Sequence, residues 1–390
     1  MRAGLAAALA LAGCASGISI SSNFEGGSLG PAERISETRF RARVPGQADH
    51  EGRNRQVTWY FFRVDGARGR KVSVTLTDLR GEYDYRPGAV GIDARTPPWT
   101  SADGRTWTLV PGWSADRERG EATLSFTPPA DRVWVAHLEP YVWSRFQAFL
   151  EEIRGHPELR AEVVGRSVEG RELYLLTIGR GPAAIWLMCR QHAWESGTSF
   201  VAEGAIRYLL SGEARDLRER ATFRILPMMD PDGCARGGVR FNRHGYDLNR
   251  NWDVADPADP ESRRLMPEIC AAKEAILKAG SFRLFLTLHN QEAGGWMSGS
   301  DPHRAVAERL VEALRGRTPL ENSPRPPRTA RPARGRATVV DFLEGERGLP
   351  AFILEQGVAF DPTLGRIPSS RDRLEFGAVL VRAMARAAIE

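Results

Sequence analysis

Ile185-Trp186-Leu187-Met188-Cys189-Arg190-Gln191-His192-Ala193-Trp194-Glu195 is the stretch from which the rest of this chain is read. Its apolar first half, bounded by polar residues, predicts a buried strand. Gly197-Thr198-Ser199 and the run Phe200 to Leu210 then predict a helix. A turn from strand into helix lets His192 and Glu195, three apart, point the same way. An imidazole nitrogen and a carboxylate oxygen suit zinc in a tetrahedral site. Alone the pair is weak, because a helix start carrying a satisfied histidine and a capping acid has the same spelling.

Outward from this stretch, strands and helices alternate. A helix over Val142 to Ile153 follows Pro140-Tyr141, and a strand over Leu173 to Ile178 precedes the Ile185 run. Strand Thr222 to Met229, helix Pro260 to Lys278, strand Phe282 to Leu288 and helix Pro302 to Leu314 follow. Arg317 to Arg336, rich in Pro and Arg, reads as a long surface loop, before strand Ala351 to Leu354 and a final helix reaching Ile389. Such alternation predicts an α/β fold, with a mixed, largely parallel sheet flanked by helices on both faces. In open sheets of this kind ligands gather beyond the carboxyl ends of the strands. Four apolar runs release His192 and Glu195, Asp230-Pro231-Asp232-Gly233, His289 and Glu355 at that end, so these groups are expected to converge.

The preceding text, 18–138, is strand-like. Gln56 to Val64, Lys71 to Leu76, Trp107 to Val110, Ala122 to Phe126 and Arg132 to Leu138 are short β-prone runs between Gly, Pro and Asp clusters. They predict a smaller β-sandwich, of accessory or recognition type, because its two histidines, His50 and His137, show no metal spacing.

The gathered residues carry a resemblance. His192-x-x-Glu195, the distant His289 and Glu355 on the last strand resemble the zinc metallocarboxypeptidase family, as do Asp230-Pro231-Asp232-Gly233 and Asp247-Leu248-Asn249-Arg250-Asn251-Trp252. The likeness covers 139–390, and the β-rich segment before it resembles the cytosolic carboxypeptidase branch. The resemblance implies Zn2+ on His192, Glu195 and His289, with Asp247 orienting His192 from behind. It implies Glu355 as general base, Arg240 as the oxyanion donor, and Asn249 and Arg250 as the grip on a peptide's terminal carboxylate. Val340, in the segment Thr338 to Phe342, falls at the family's specificity position and implies an apolar or undemanding pocket. The arginines of 325–336 offer positive charge instead. Each residue also has a plainer reading: His289 as a buried core histidine, Glu355 as a strand-end acid, Arg240 as a solvated arginine, Asn249 as a turn cap. His244 reads as solvated rather than catalytic.

Three departures stand out, the first being Trp194, which fills the place just before Glu195 where the family commonly has Gly or Arg. Asp230 replaces the family's usual Asn, and no tyrosine follows Tyr246, so the mobile tyrosine of the digestive relatives has no counterpart between His289 and Glu355. The function this implies is a zinc carboxypeptidase acting on the C-terminus of peptides or proteins. A zinc hydrolase of another amide (deglutamylation, cell-wall peptide or acyl-amino-acid cleavage) is the alternative, and a binding protein that kept the fold a third.

The 390 residues, 42% of them apolar, are enough for two cores, and the net charge of +5 comes from scattered arginines balanced by nearby acids. No basic stripe with interleaved aromatics suggests a nucleic-acid partner. Met1-Arg2 and the small apolar run ending in Leu11-Ala12-Gly13-Cys14 resemble a bacterial lipoprotein leader over 1–17, with Cys14 the lipid-bearing residue. A bacterial cell-envelope location is the expectation; a start codon assigned too early, ahead of a cytoplasmic protein, is the alternative. Cys189, Cys234 and Cys270 show no paired spacing and predict no disulfide framework.

Overall fold

A computed structural model describes residues 17–390 apart from 84, 90, 300, 301, 321 and 327–331. Cys14 and the leader up to residue 16 lie outside the described residues, as does part of the arginine-rich loop.

The N-terminal region holds two five-stranded sheets packed face to face. Val72–Thr77 and Glu121–Phe126 show why: both alternate buried and half-buried positions, and their register pairs Leu76 with Ala122, Val74 with Leu124 and Val72 with Phe126 on one face. That face meets Phe62, Val64, Val133 and Val135 of the other sheet to form the sandwich core. The predicted strand Gln56 to Val64 is two pieces. Arg55–Gln56 belongs to a separate four-stranded sheet and Phe61–Asp65 to the sandwich, joined by the buried residues Val57, Thr58, Trp59 and Tyr60.

The second half is built on a seven-stranded mixed sheet, in the order Leu159–Arg166, Glu172–Gly179, Ala221–Leu226, Ala183–Cys189, Leu284–Gln291, Ala351–Gly357, Trp296–Met297. The four strands from Ala221–Leu226 to Ala351–Gly357 pair in parallel, and the strands outside them pair antiparallel. Parallel strands buried on both faces are apolar throughout, which is why the Ile185 run carries no alternation. Its side chains nevertheless divide. Ile185, Leu187 and Cys189 join the core beneath helices Trp143–Ile153, Ser196–Leu210, Arg304–Leu314 and Ser370–Ile389, whereas Trp186 and Met188 join the core beneath Pro267–Ala279 and Val339–Gly345.

Several sequence expectations shift. The helix expected over Pro260 to Lys278 is two, Pro260–Leu265 and Pro267–Ala279. Met266, with φ −132° and ψ 50°, leaves the helical region because the ring of the following proline excludes it. His289 and Glu355 do not lie past their strands but inside them, as a register pair on neighbouring strands. The edge strands Leu159–Arg166 and Trp296–Met297 and the helix Val339–Gly345 were not anticipated. The expected loop 317–336 is not wholly at the surface: the Arg325 backbone N–H donates to the Met297 carbonyl at 2.8 Å, extending the sheet edge.

The two halves share an apolar seam of Trp59, Phe61, Ala136, Leu138, Trp194, Val239 and Val358. Among the described residues no helix is long and apolar enough to cross a membrane.

Helices Ser196–Leu210 and Ser370–Ile389 touch backbone to backbone. A Cβ on Gly204 would lie 1.9 Å from the Leu374 carbonyl oxygen, and one on Gly377 would lie 2.3 Å from that of Val201. Gly204→Ala and Gly377→Ala should therefore each lose about 1–3 kcal/mol of stability by overpacking, although alanine favours a helix by ~1 kcal/mol. Chemical denaturation measures this, and a stabilised Gly204→Ala protein would contradict the close approach.

Candidate metal centre

The turn after strand Ala183–Cys189 is fixed by Arg190, a residue whose importance the sequence did not announce. It sits in the left-handed region at φ 59° and is buried. Its guanidinium donates to the Ala193 carbonyl at 2.9 and 2.6 Å and to Ser199 Oγ at 3.0 Å, and its backbone N–H donates to Thr198 Oγ1 at 3.1 Å. Such a costly backbone conformation persists only where its surroundings over-determine it. Here those bonds wrap the segment that presents His192 and Glu195.

The two expected ligands of this turn meet His289 from the neighbouring strand. His192 Nδ1 lies 2.7 Å from Glu195 Oε1, and His289 Nδ1 lies 3.0 Å from Glu195 Oε2. The three donor atoms fall within 4.8 Å of one another, and all three residues are buried. Behind the rings, His192 Nε2 donates to Asp247 Oδ1 at 3.0 Å. His289 Nε2 lies 3.2 Å from Gln191 Oε1, which also accepts from Thr287 Oγ1 at 2.7 Å. His289 Nε2 also has Thr287 Oγ1 at 3.1 Å and the Asn249 amide nitrogen at 3.2 Å; with the proton on each Nε2, a neutral imidazole turns its Nδ1 lone pair toward the Glu195 carboxylate. Two lone pairs and a carboxylate facing one point are stable only around a cation, and N2O donors with orienting partners behind them suit Zn2+.

Electrostatics agree. Burial alone would push the Glu195 carboxyl up, but His192 and His289 hold it below its ordinary value. The two histidines move in opposite directions. Burial carries His289 down, whereas His192, opposed by burial and Arg240, is held up by facing two carboxylates, Glu195 and Asp247.

A cavity of about 570 Å³ opens beside these donors, lined by Arg240, Asn249, Arg250, Val340 and Glu355 among others. Among the described residues Glu355 Oε2 has no hydrogen-bond partner. Burial, then the Glu195 charge, keeps its carboxyl well above the usual range despite Arg240. Asp247 Oδ2 accepts from Arg240 Nε at 2.7 Å, so one acid aims both a histidine and an arginine. Asn249 is held by its backbone N–H to Asp247 Oδ1 at 2.9 Å and by Val339 N–H to its Oδ1 at 3.2 Å. Val340 follows at the start of helix Val339–Gly345, capped reciprocally by Thr338 and Asp341. Arg325 lies over the Trp296 ring at 4.6 Å on the same wall. His244 is not part of the lining.

Asp230 lies away from the cavity, capping helix Pro231–Arg236 by accepting from Gly233 N–H at 2.8 Å. Burial pushes its carboxyl up to about 8, which favours the neutral acid, a group with the shape of an asparagine. That departure therefore leaves the turn intact.

Five residues that matter here were missed: Arg190, Gln191, Gln56, Tyr83 and Glu292. Gln191 had a signal, since it directly precedes a ligand, and Thr287 lies two before His289 on the same strand face. Gln56 and Tyr83 line the cavity from the N-terminal region, and no spacing linked them to it.

Comparison with known proteins agrees with this geometry. A family model described as zinc carboxypeptidase matches residues 146–301, and one described as cytosolic carboxypeptidase N-terminal domain matches residues 20–138. An uncharacterized protein of Zymomonas mobilis is 31% identical over 60% of this chain and 59% of its own length. Cytosolic carboxypeptidase 6 of Mus musculus is 28% identical over 71% of this chain and 54% of its own. The chain thus spans little more than half of either relative. The crystal structure of a metallo-carboxypeptidase from Burkholderia cenocepacia superposes with a TM-score of 0.81 at 25% identity, covering 94% of this chain and 97% of that one.

Replacing Asp247 by Asn should weaken zinc binding by about 10–100-fold, the usual cost of losing an orienting carboxylate. Competition against a chromogenic chelator measures it, with the melting temperature of the metal-free proteins as a folding control. Unchanged affinity would remove Asp247 from the centre.

Proposed function

Because the chain belongs to the zinc carboxypeptidase family, we propose that it is a metallocarboxypeptidase that removes residues from the C-terminus of peptides or proteins. The observation that carries this reading is one cavity holding both halves of the task. Carboxylate-binding groups, Asn249 and Arg250, share it with a His-Glu-His donor set and the unpartnered acid Glu355.

His192, Glu195 and His289 would hold zinc, which would supply Lewis-acid polarisation and activate a water. The chain's own side chains do the rest. Arg250 receives the substrate's terminal carboxylate through its planar fork, with the Asn249 amide beside it. Arg240, kept in place by Asp247, donates to the carbonyl oxygen as it gains charge. Glu355, its carboxyl raised by burial and by Glu195, takes a proton from the attacking water and returns it to the leaving amine. With no fixed partner among the described residues, its Oε2 can serve both transfers.

The side-chain pocket supports two specificities. Val340 and Ile353 give an apolar wall, consistent with an undemanding pocket. Arg325 on Trp296 brings a guanidinium to the same cavity, which favours removal of an acidic C-terminal residue such as glutamate. Paired peptides ending in leucine and glutamate separate the two.

From Leu11-Ala12-Gly13-Cys14 we also propose a lipid-anchored place in a bacterial cell envelope. The parent protein should take up a labelled lipid precursor in a bacterial host and Cys14→Ala should not; labelled Cys14→Ala protein would exclude this anchor.

Glu355→Gln should lower kcat by about 10²–10⁴-fold while zinc content and fold persist, read from turnover of peptides with free C-termini. Parent-like turnover would remove Glu355 from the chemistry.

A further inference from the structure

The N-terminal region does more than pack against the catalytic half. Its four-stranded sheet, which includes Arg55–Gln56 and Gly81–Tyr83, sends Gln56 and Tyr83 into the cavity that holds His192, Arg250 and Glu355. That sheet is clamped in place. The Gln47 side-chain carbonyl accepts from three consecutive backbone N–H groups, Val239 at 3.0 Å, Arg240 at 2.7 Å and Phe241 at 2.9 Å, and its amide donates to the Phe241 carbonyl at 2.6 Å. His50 stacks on Tyr246 with ring centroids 3.9 Å apart. A Cβ on Gly91 would lie 2.7 Å from Glu292 Oε1, so the N-terminal region also approaches this cavity-lining acid. The position of Tyr83 relative to Arg240 and Arg250 is therefore fixed by the fold.

Tyr83 lines the cavity and is 43% exposed, so its ring is open to an incoming ligand. Arg250 has no carboxylate partner among the described residues. Burial alone would raise the Tyr83 phenol, but the Arg250 and Arg240 charges outweigh it and hold it below the ordinary tyrosine value. The Arg250 guanidinium offers only donors, one of them given to the Asn249 carbonyl at 2.7 Å, and a phenol lining the same cavity has an O–H to give to an anion held there. A half-buried arginine without a counter-charge and a phenol with a spare O–H form a two-sided receptor for a carboxylate.

We propose that Tyr83 is a substrate-binding residue contributed by the N-terminal region, its hydroxyl donating to the terminal carboxylate that Asn249 and Arg250 receive. This rests on the carboxypeptidase reading and adds a recognition group that the catalytic half lacks. The N-terminal region is then part of the active site and sets how well a free C-terminus is told from a blocked one.

The test uses the full-length, zinc-loaded protein carrying Glu355→Gln, so that peptides bind without being cleaved. Calorimetry gives the Kd of one N-acylated peptide as free acid and as C-terminal amide, with and without Tyr83→Phe. A hydrogen bond to a charged group is worth about tenfold or more in affinity. Tyr83→Phe should therefore weaken the acid about tenfold and leave the amide unchanged. No preference for the acid before Tyr83 is changed would overturn the carboxypeptidase reading itself. A preference that survives Tyr83→Phe intact would overturn the role of Tyr83 alone. Equal weakening of acid and amide would also overturn it, making the hydroxyl a support of pocket shape. Melting temperatures of the two proteins should coincide.

Discussion

A carboxylate does not stay charged in a dry interior without a cation beside it, and Glu195 imposes that condition on the whole molecule. It is buried between two imidazoles that show it their Nδ1 edges. The surroundings of the site follow from keeping those edges in place. Arg190 holds the turn before Glu195, Asp247 holds one ring, and Gln191 with Thr287 holds the other. The sheet sets the remaining distance, because His289 and Glu355 occupy one rung of adjacent parallel strands. A metal-binding imidazole and a proton-transferring acid are thereby separated by a strand spacing rather than by loop geometry, and sites on rigid elements hold their geometry better.

Charge is distributed so that each cation in the cavity has a different degree of freedom. Arg240 is tied to Asp247, which fixes its direction. Arg250 is not tied to any described carboxylate; its Nη1 donates to the Asn249 carbonyl at 2.7 Å and its other donors are left for an incoming anion. Arg325 rests on an aromatic face, which orients a guanidinium without neutralising it. The acids are graded likewise. Asp247 is held far below its ordinary range, with burial outweighed by Arg240 and His192, whereas burial and Glu195 raise Glu355. Pushing neighbouring acids apart in this way lets one remain a permanent anion while the other exchanges protons.

Much of this was legible in the sequence, for definite reasons. His192, Glu195, His289 and Glu355 each follow or end an apolar run, and a parallel sheet brings such ends together whatever lies between them in the chain. Asp247, Asn249 and Arg250 came from a short contiguous motif. Position relative to strand ends was read less well, because His289 and Glu355 are buried within strands and an apolar run stops before its strand does. The helix Val339–Gly345 escaped although Thr338 and Asp341 spell a capping box. The pair Met266-Pro267 marked a helix break that periodicity alone passed over. Tyr83 and Gln56 could not have been found by spacing, since their link to the site is made by contacts of Gln47 and His50 with the distant loop 239–246.

Gln47 has one further consequence. Three successive backbone N–H groups turned inward at 239–241 form a concavity of the kind that traps anions. The glutamine carbonyl is its built-in plug. A chain trimmed of its first domain would uncork that trap immediately beside Arg240 and bare Trp194 to water. Buffer phosphate or sulfate would then compete for the very loop that carries the oxyanion arginine. Kinetics on such a fragment would depend on the salt chosen, with the first domain acting as the stopper that keeps the catalytic half free of foreign ions.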